Sequence, residues 1–195
     1  MNEISADPFA AFAAWFAEAK AGEPNDANAM TVATCTATGK PSARIALLKE
    51  WDDRGFVFYT NLESRKSEEI KQNPNAALLF HWKSLLRQIR IEGTVTAVSD
   101  AQADAYFAGR PRLSRIGAWA SAQSRPLPDR ATFEARMAEI NARYPGATTP
   151  RPPFWSGWRV TPTSFEFWQD QQFRMHDRIT YRQAGTGWAT GRLYP

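Results

Sequence analysis

Positively charged side chains recur in this sequence in small groups, each beside residues that end a helix or a strand. The most compact group is Arg174-Met175-His176-Asp177-Arg178. Alternate residues of a β-strand project from one face, so Arg174, His176 and Arg178 would stand side by side. Three such groups repel one another unless they meet an anion or an electron-rich ligand. We therefore interpret this segment as functional.

A second basic group follows a predicted strand, where Tyr59-Thr60-Asn61 precedes Ser64-Arg65-Lys66. A helix N-terminus offers free backbone N–H groups and the positive end of the helix dipole. Two cations in the first turn of such a helix are unfavourable unless an anion lies between them and the amides. The arrangement is typical of a phosphate site, and a solvated basic turn is the alternative.

Two further groups could bind anions. Arg44 and Lys49 lie on one predicted strand with opposite parity, so they would face opposite sides and serve different ligands. A core strand with two solvated ends is the alternative. Tyr106 and Arg110 lie one helical turn apart and Ser114 follows, so a phenol, a guanidinium and a hydroxyl could bind one phosphate. An ordinary exposed helix end is the alternative for this third group.

Amide and indole side chains complete the candidate set, since they suit a heterocyclic ring. Gln88, Gln123 and Ser124 offer donors and acceptors to a ring edge, and Trp168 offers a surface to its face. Each of these signals is weak by itself, because tryptophan occurs more often in a core than beside a cofactor.

Length and composition narrow the function classes. The chain has 195 residues, 43% of them apolar, which predicts a single domain over residues 1–195 with its own core. One cysteine, Cys35, forms no internal disulfide, and two histidines are too few for a metal cluster, so no metal site is expected.

Charge and hydropathy indicate which partners and compartment to expect. The net charge of +4 is dispersed in pairs and triplets, which does not favour binding to nucleic acid. No apolar run is long enough to span a membrane, and Met1–Pro8 is too short and acidic for a signal peptide, so we expect a cytoplasmic protein.

Periodicity and turn residues predict the elements that position these groups. Helices are expected at Asp7–Gly22, Ser64–Gln72, Ser99–Gly109, from Pro111, and at Asp129–Tyr144. Strands are expected at Met30–Thr38, Ser42–Trp51, Phe56–Thr60, Ala76–Trp82, Leu86–Val98, Trp158–Val160, Ser164–Trp168, Phe173–Tyr181 and Trp188–Leu193. Consecutive hairpins in a chain of this length favour the α+β class, with an antiparallel barrel and helices packed around it.

Taken together, these segments resemble the pyridoxine/pyridoxamine 5′-phosphate oxidase family. The matching phrases cover nearly the whole chain in order: RIALLK (44–49), GFVFYTN (55–61), SRK (64–66), RQIRIEG (87–93), YFAGRPRLSRIGAWAS (106–121), QS (123–124), FWSGWRV (154–160), EFWQ (166–169), RMHDR (174–178) and RLYP (192–195).

The resemblance implies a split β-barrel homodimer with flavin mononucleotide (FMN) in clefts at the subunit interface. The implied flavin-phosphate ligands are Arg44, Arg65 and Lys66. The other implied flavin contacts are Ile45, Ala46, Leu47, Leu48, Lys49, Tyr59, Thr60, Gln88, Gln123, Ser124, Trp168 and Arg178. The implied clamp for a substrate phosphate is Lys49, Tyr106, Arg110 and Ser114. Arg174 and His176 would bind the substrate over its pyridine ring and serve as the catalytic residues.

The implied reaction is the oxidation of pyridoxine 5′-phosphate and pyridoxamine 5′-phosphate by dioxygen to pyridoxal 5′-phosphate, in vitamin B6 salvage and biosynthesis. Hydrogen peroxide is released, and ammonia leaves from the amine. The chain departs from the family pattern at Asp170-Gln171, which replaces a glycine-rich turn, and at Arg115, which replaces glutamine. We expect that neither Asp170-Gln171 nor Arg115 touches a residue assigned as a ligand of the flavin or the substrate. The chain begins close to its first helix, so an N-terminal lid is not implied.

Three other functions remain as alternatives. A related flavin oxidase, as in phenazine biosynthesis, would act on an unphosphorylated ring. A non-catalytic basic module would store flavin or bind nucleic acid with a steep dependence on salt. A flavin reductase would be bleached rapidly by a nicotinamide donor.

Overall fold

The structure of the protein, a computed structural model, describes residues 4–195. Residues 1–3, part of the segment expected not to be a signal peptide, lie outside this range. The helices are α1 (Pro8–Gly22), α2 (Arg65–Gln72), α3 (Asp100–Ala108), α4 (Arg112–Ala120) and α5 (Arg130–Arg143). The strands are β1 (Ala29–Cys35), β2 (Pro41–Leu47), β3 (Glu50–Asp52), β4 (Gly55–Asn61), β5 (Asn75–Trp82), β6 (Arg87–Ala97), β7 (Trp155–Gln169), β8 (Asp177–Ala184) and β9 (Gly187–Arg192).

The strands form a curled antiparallel sheet organised around β7. The sheet order is β2-β1-β5-β6-β7-β4-β3, and β8 pairs with β7 and β9 with β8. One edge of β7 pairs with β6 along most of its length, whereas the other edge pairs first with β4 and then with β8. This change of partner splits the barrel and confirms the expected antiparallel split barrel with surrounding helices.

Helix α1 packs its apolar face against the curled sheet. The Asp7 carboxylate accepts hydrogen bonds from the backbone N–H groups of Phe9 and Ala10, and Pro8 begins the helix, as predicted. Phe12 is fully buried, and its ring centroid lies 4.8 Å from that of Phe56 on β4. Aromatic packing of this kind buries a large apolar area and fixes the helix against the sheet.

The predicted strand Ser42–Trp51 is wrong as a single element, because β2 ends at Leu47 and β3 begins at Glu50. Lys49 lies in the break between them, where the alternation of side chains along a strand does not hold. The parity argument that set Lys49 opposite Arg44 therefore does not apply.

Two other strand predictions differ from the structure. The segments Trp158–Val160 and Ser164–Trp168 belong to one strand, β7, because β6 pairs across the connecting residues. The strand expected from Phe173 begins only at Asp177. A 3₁₀ turn precedes it, in which Phe173 and Arg174 have left-handed φ values of 56° and 62°. Arg174 and His176 thus lie outside β8.

A close approach of two backbones makes Gly93 necessary. Gly93 lies where the register between β6 and β7 shifts, and a Cβ atom there would lie 2.0 Å from the carbonyl oxygen of Thr161. We expect Gly93→Ala to lower the free energy of unfolding by about 2 kcal/mol or more, because backbone atoms cannot move aside without breaking the pairing. Denaturant unfolding measures this, with Gly146→Ala as the control, since a Cβ atom at Gly146 meets nothing within 4 Å. Equal losses in the two variants would contradict the argument.

Within residues 4–195, no helix has both the length and the apolar character needed to cross a bilayer.

Candidate functional site

A buried lysine lies at the start of α2. Lys66 is 7% exposed, and its Nζ donates hydrogen bonds to Thr60 Oγ1 at 3.1 Å and to Ser64 Oγ at 3.4 Å. Burial, with a smaller contribution from the positive charge of Arg44, lowers the pKa of Lys66 to about 8. In the described part of the chain, no carboxylate lies within ion-pair distance of this ammonium group. Burying a cation without a counter-ion is costly, so Lys66 is a candidate ligand for an anion.

Two arginines beside this lysine are held by one buried carboxylate. Arg65 Nε lies 2.9 Å from Glu69 Oε1, and Arg44 Nη2 lies 3.4 Å from Glu69 Oε2. Burial by itself would raise the pKa of Glu69, but hydrogen bonds from Ser42, Thr34 and Arg65 outweigh it and hold the pKa at about 2. Glu69 therefore stays ionised and fixes both guanidinium groups. Sequence reasoning missed Glu69, although its position four residues after Arg65 on a helix was a usable signal.

Aromatic rings form one wall of a neighbouring cleft. The rings of Tyr59 and Tyr106 stack in parallel with centroids 3.9 Å apart, and the Trp155 ring lies 5.4 Å from that of Tyr59. The Tyr59 hydroxyl donates a 2.7 Å hydrogen bond to Glu50. Trp155 and Glu50 were not predicted as site residues, because nothing in their local sequence separates them from ordinary core and surface positions.

Arg110 is the cation of this cleft. The cleft encloses about 360 Å³, and its lining includes the predicted residues Tyr59, Thr60, Arg110, Ser114 and Gln123. The Arg110 guanidinium lies 4.8 Å from the Trp155 ring centroid, and its Nη1 is buried without a hydrogen-bond partner among residues 4–195. Burial lowers the pKa of Arg110. An unpaired buried donor is costly, so Arg110 is poised to receive an acceptor from a ligand.

Gln123 links the cleft to the buried lysine. Its Oε1 accepts hydrogen bonds from Thr60 Oγ1 at 3.0 Å and from the Asn61 N–H at 3.3 Å. Thr60 also accepts from Lys66, so one chain of hydrogen bonds joins Lys66, Thr60 and Gln123. Ser124 follows in an exposed turn with a left-handed φ of 71°.

Residues 45–49, which the resemblance places beside the flavin, differ in how far their side chains are exposed. Ile45 is 65% exposed, Ala46 packs against the core, Leu47 is half-buried and Leu48 is buried. Lys49 is exposed and lines a different cleft from that of Arg110, together with Lys20 and Trp51. Its role in a phosphate clamp stays a prediction.

The remaining predicted residues form a second group at the far end of β7. Trp168 pairs in register with Gln88 on one side and with Arg178 on the other, so the three side chains share one face of the sheet. The ring centroid of His176 lies 4.6 Å from that of Trp168. Arg174 is exposed in the strained turn before β8.

The expectation that Asp170 would touch no ligand residue is wrong. Its Oδ1 lies 2.8 Å from Nδ1 of His176, which is itself a predicted ligand. The strained turn folds back far enough to bring these two side chains together, and no pattern in the sequence showed this. Arg115 donates to the carbonyl oxygen of Ala147 and lies outside the residues lining the Arg110 cleft.

The two groups lie far apart in one protomer. Thr60 pairs with Ser156 near the start of β7, and Trp168 follows Ser156 by twelve residues. At about 3.3 Å per residue, this separation is about 40 Å along the strand. One small ligand therefore cannot contact both groups of a single chain.

Two protein-family models match this chain, one over its N-terminal part and one over its C-terminal part. Residues 16–144 match the family described as pyridoxamine 5′-phosphate oxidase, and residues 155–195 match the pyridoxine 5′-phosphate oxidase C-terminal dimerisation region. The chain is similar to the pyridoxine/pyridoxamine 5′-phosphate oxidase of Sphingopyxis alaskensis, with 62% identity over 98% of this chain and 89% of the relative. It is 61% identical to the protein of the same name from Gluconobacter oxydans, over 99% of this chain and 96% of the relative.

Solved structures share the fold. PhzG from Burkholderia lata, in complex with tetrahydrophenazine-1-carboxylic acid, superposes with a TM-score of 0.91 and 32% identity over 98% of this chain and 94% of that one. An FMN-binding protein from Nostoc punctiforme, described as related to pyridoxamine 5′-phosphate oxidase, gives a TM-score of 0.77 at 16% identity, over 98% of this chain and all of that one, and so supports the fold alone. The matched family models and the near full-length identity show that the chain belongs to the pyridoxamine 5′-phosphate oxidase family.

Proposed function

We propose that this protein uses FMN to oxidise pyridoxine 5′-phosphate and pyridoxamine 5′-phosphate to pyridoxal 5′-phosphate, at sites shared by two copies of the chain. Relatives of that name are about 60% identical over nearly the full length, which supports this substrate class. The whole chain acts as one unit in this proposal, because β7, from the C-terminal matched region, pairs with β4 and β6 from the N-terminal one. The single cysteine fits work in the reducing cytoplasm.

Two cations without carboxylate partners among residues 4–195 carry the proposal: Lys66, which is buried, and Arg110, which is half-buried with its Nη1 fully enclosed. Both FMN and the substrate end in a phosphate. Each phosphate would supply the negatively charged partner that these cations lack within the protein. Lys66, with Arg44, Arg65 and the N-terminus of α2, would hold the flavin phosphate. Arg110, with Tyr106 and Ser114, would hold the substrate phosphate. Lys49 belongs to the substrate clamp only if its side chain reaches across from the neighbouring cleft.

The distance between the two groups of site residues supports a homodimer. Thr60 and Gln123 would meet the flavin ring edge from one protomer, with Tyr59, Ser124 and the backbone of residues 45–48 nearby. The partner subunit would add the ring-facing row of its Gln88, Trp168 and Arg178. The match of residues 155–195 to a dimerisation region agrees with this arrangement.

When bound, FMN would supply the redox chemistry, a two-electron oxidation of the substrate at its C4′ carbon with dioxygen as the final acceptor and hydrogen peroxide as the product. The protein supplies position and charge. Holding the phosphate at Arg110, far from C4′, fixes the substrate in one orientation. Arg174 of the partner subunit would orient the pyridine ring and stabilise charge at the 4′ oxygen or nitrogen, beside the partner's His176. The amine substrate also yields ammonia after hydrolysis of its imine.

An anaerobic visible spectrum tests the proposal. We expect the protein with bound FMN to bleach on addition of pyridoxine 5′-phosphate and to recover in air. Flavin that stays oxidised with both phosphorylated substrates would contradict the proposed reaction. Bleaching by tetrahydrophenazine-1-carboxylic acid, the compound bound to PhzG, would instead favour a flavin oxidase that acts on an unphosphorylated ring. Rapid bleaching by NADH or NADPH would favour a flavin reductase. Absence of flavin binding, with salt-dependent binding to DNA or RNA, would favour a basic module.

Mixing two inactive variants tests the shared site. Arg110→Met damages one group of site residues and Arg174→Ala the other, so each pure dimer should be nearly inactive. After unfolding and refolding together, half of the dimers are mixed, and each mixed dimer has one intact site. We expect about a quarter of the activity of the unmodified protein to return. If each site were built from one chain, mixing would restore no activity.

The depressed pKa of Lys66 predicts how FMN binding depends on pH. Only the ammonium form pairs with phosphate, and in the free protein it is lost as the pH rises through about 8. FMN affinity should therefore fall by about half between pH 7 and pH 8 and then by up to about tenfold per pH unit, because binding must first return the proton. Fluorescence titration measures this, with riboflavin as the control that lacks the phosphate. A parallel decline for riboflavin would assign the effect to another group.

A further inference from the structure

A second buried carboxylate lies beside Gln88, Trp168 and Arg178, the residues of β6, β7 and β8 that are proposed to face the flavin ring. Glu166 is 5% exposed, and its two oxygens face different guanidinium groups. Arg90 Nη2 lies 2.6 Å from Oε2, and Arg178 Nε lies 2.7 Å from Oε1. A carboxylate removed from water in this way is stable only while both partners stay in place.

The strand register puts Glu166 next to the residues proposed to meet the flavin ring. Glu166 precedes Trp168 by two residues on β7, so both side chains project from the same face. Arg178 stands opposite Trp168 on β8 and Arg90 opposite Glu166 on β6. The Glu166 carboxylate therefore lies on the same face of the sheet as Gln88, Trp168 and Arg178, two residues away from Trp168 along β7.

The contacts of Arg178 leave one end of its guanidinium available. Nε is bound to Glu166, and Nη1 donates a 3.0 Å hydrogen bond to the carbonyl oxygen of Tyr194. Among residues 4–195, no hydrogen bond engages Nη2. Since a guanidinium is planar, two fixed nitrogens also fix the direction of the third.

We propose that Glu166 is a positioning residue, which orients the Arg178 guanidinium beside Trp168 and sets the net charge that a bound flavin ring meets. This inference rests on the proposed FMN site. Among residues 4–195, Glu166 is the carboxylate that pairs with Arg178, whereas Arg90 also pairs with Glu92. A neutral side chain at position 166 therefore leaves the charge of Arg178 without a carboxylate partner in this part of the chain.

Glu166→Gln tests the inference because glutamine cannot satisfy both arginines. Its amide has one oxygen to accept a hydrogen bond, while its NH₂ group repels the second guanidinium. We expect FMN to bind about 10- to 100-fold more weakly, as for loss of a charge-assisted hydrogen bond. We also expect the reduction potential of the bound flavin to become more positive, because added positive charge favours the anionic reduced form.

Glu92→Gln is the matched control. Glu92 lies 3.4 Å from Arg90 Nε but is half exposed and makes no contact with Arg178. FMN affinity and potential should stay close to those of the unmodified protein. Equal effects of the two substitutions, or no effect of Glu166→Gln, would overturn the inference. Absence of FMN binding by the unmodified protein would instead contradict the proposed function.

A double-mutant cycle tests whether Glu166 acts through Arg178. In an Arg178→Met background, Glu166→Gln should have little further effect on FMN affinity. A full additional loss would show that Glu166 acts by another route and would overturn the inference. If Glu166→Gln does not fold, Glu166→Asp replaces it. Aspartate keeps the charge but shortens the reach, so we expect weaker FMN binding with a nearly unchanged potential, and parent-like FMN affinity in that variant would also overturn the inference.

Discussion

Replacement of Arg110 by methionine should lower kcat/KM for pyridoxine 5′-phosphate by roughly 30-fold to several thousandfold. The range corresponds to the 2–5 kcal/mol typically lost when one partner of a buried, hydrogen-bonded charge pair is removed. The expected effect is large because Arg110 Nη1 is buried and meets no acceptor in the described part of the protein. A substrate phosphate would be its first full partner. Steady-state kinetics with the phosphorylated substrate measure the loss.

Three controls separate phosphate recognition from a general defect. The variant should unfold at the same or a higher temperature, because an apolar side chain replaces a desolvated charge. Pyridoxine, which lacks the phosphate, should react equally slowly with the variant and the unmodified protein. Arg130→Met removes an exposed arginine paired with Glu134 and should change neither rate. An equal fall in rate for pyridoxine and its phosphate would contradict the assigned role of Arg110.

Replacement of Lys66 by methionine should weaken FMN binding by a comparable factor, about 30-fold to several thousandfold. Lys66 is buried, its hydrogen bonds go to the hydroxyl oxygens of Thr60 and Ser64, and no carboxylate among residues 4–195 neutralises it. The flavin phosphate would complete its coordination, so loss of the ammonium removes a pair formed only in the complex. Fluorescence titration of the protein freed of flavin gives the dissociation constant.

Riboflavin and a second lysine provide the controls for this variant. Riboflavin binding should change by less than about threefold, since the interaction removed involves only the phosphate. Lys71→Met, in the last turn of the same helix, removes an exposed lysine that donates to the carbonyl oxygen of Leu62, and should leave FMN affinity unchanged. If Lys66→Met weakened riboflavin and FMN binding equally, Lys66 would not be a phosphate ligand.

Local features of the fold could be predicted from the sequence because they depend on neighbours along the chain. Asp7-Pro8 and Ser99 begin helices as expected, since their side chains bind the free N–H groups of the first turn. A hairpin also formed between the strands expected at Met30–Thr38 and from Ser42, since β1 and β2 pair in antiparallel register. The strand predictions that failed concern Ser42–Trp51, β7 and the turn before β8. In these places, pairing with different strands or left-handed residues overrode the local pattern.

The pairing of Glu69 with Arg65 on one helix could have been predicted from neighbouring residues, but the long-range contacts of the two buried carboxylates could not. Glu69 is 25 residues from Arg44, and Glu166 is 76 residues from Arg90. These contacts arise only when elements far apart in the chain pack together, helix α2 beside β2 and strand β7 beside β6. Burial then makes them strong, because a charge removed from water must find its partner within the protein.

The sequence by itself determined which kinds of side chain this protein has for binding phosphate and a ring, and their order along the chain. The tertiary structure decided which of them stand together. It brings Lys66, Thr60, Gln123 and Arg110 around one cleft and its border, and it gathers Gln88, Trp168 and Arg178 at the other end of β7. The physical reason is that an extended strand holds its residues at a fixed spacing, so side chains twelve positions apart on β7 cannot meet on one small ligand within a protomer.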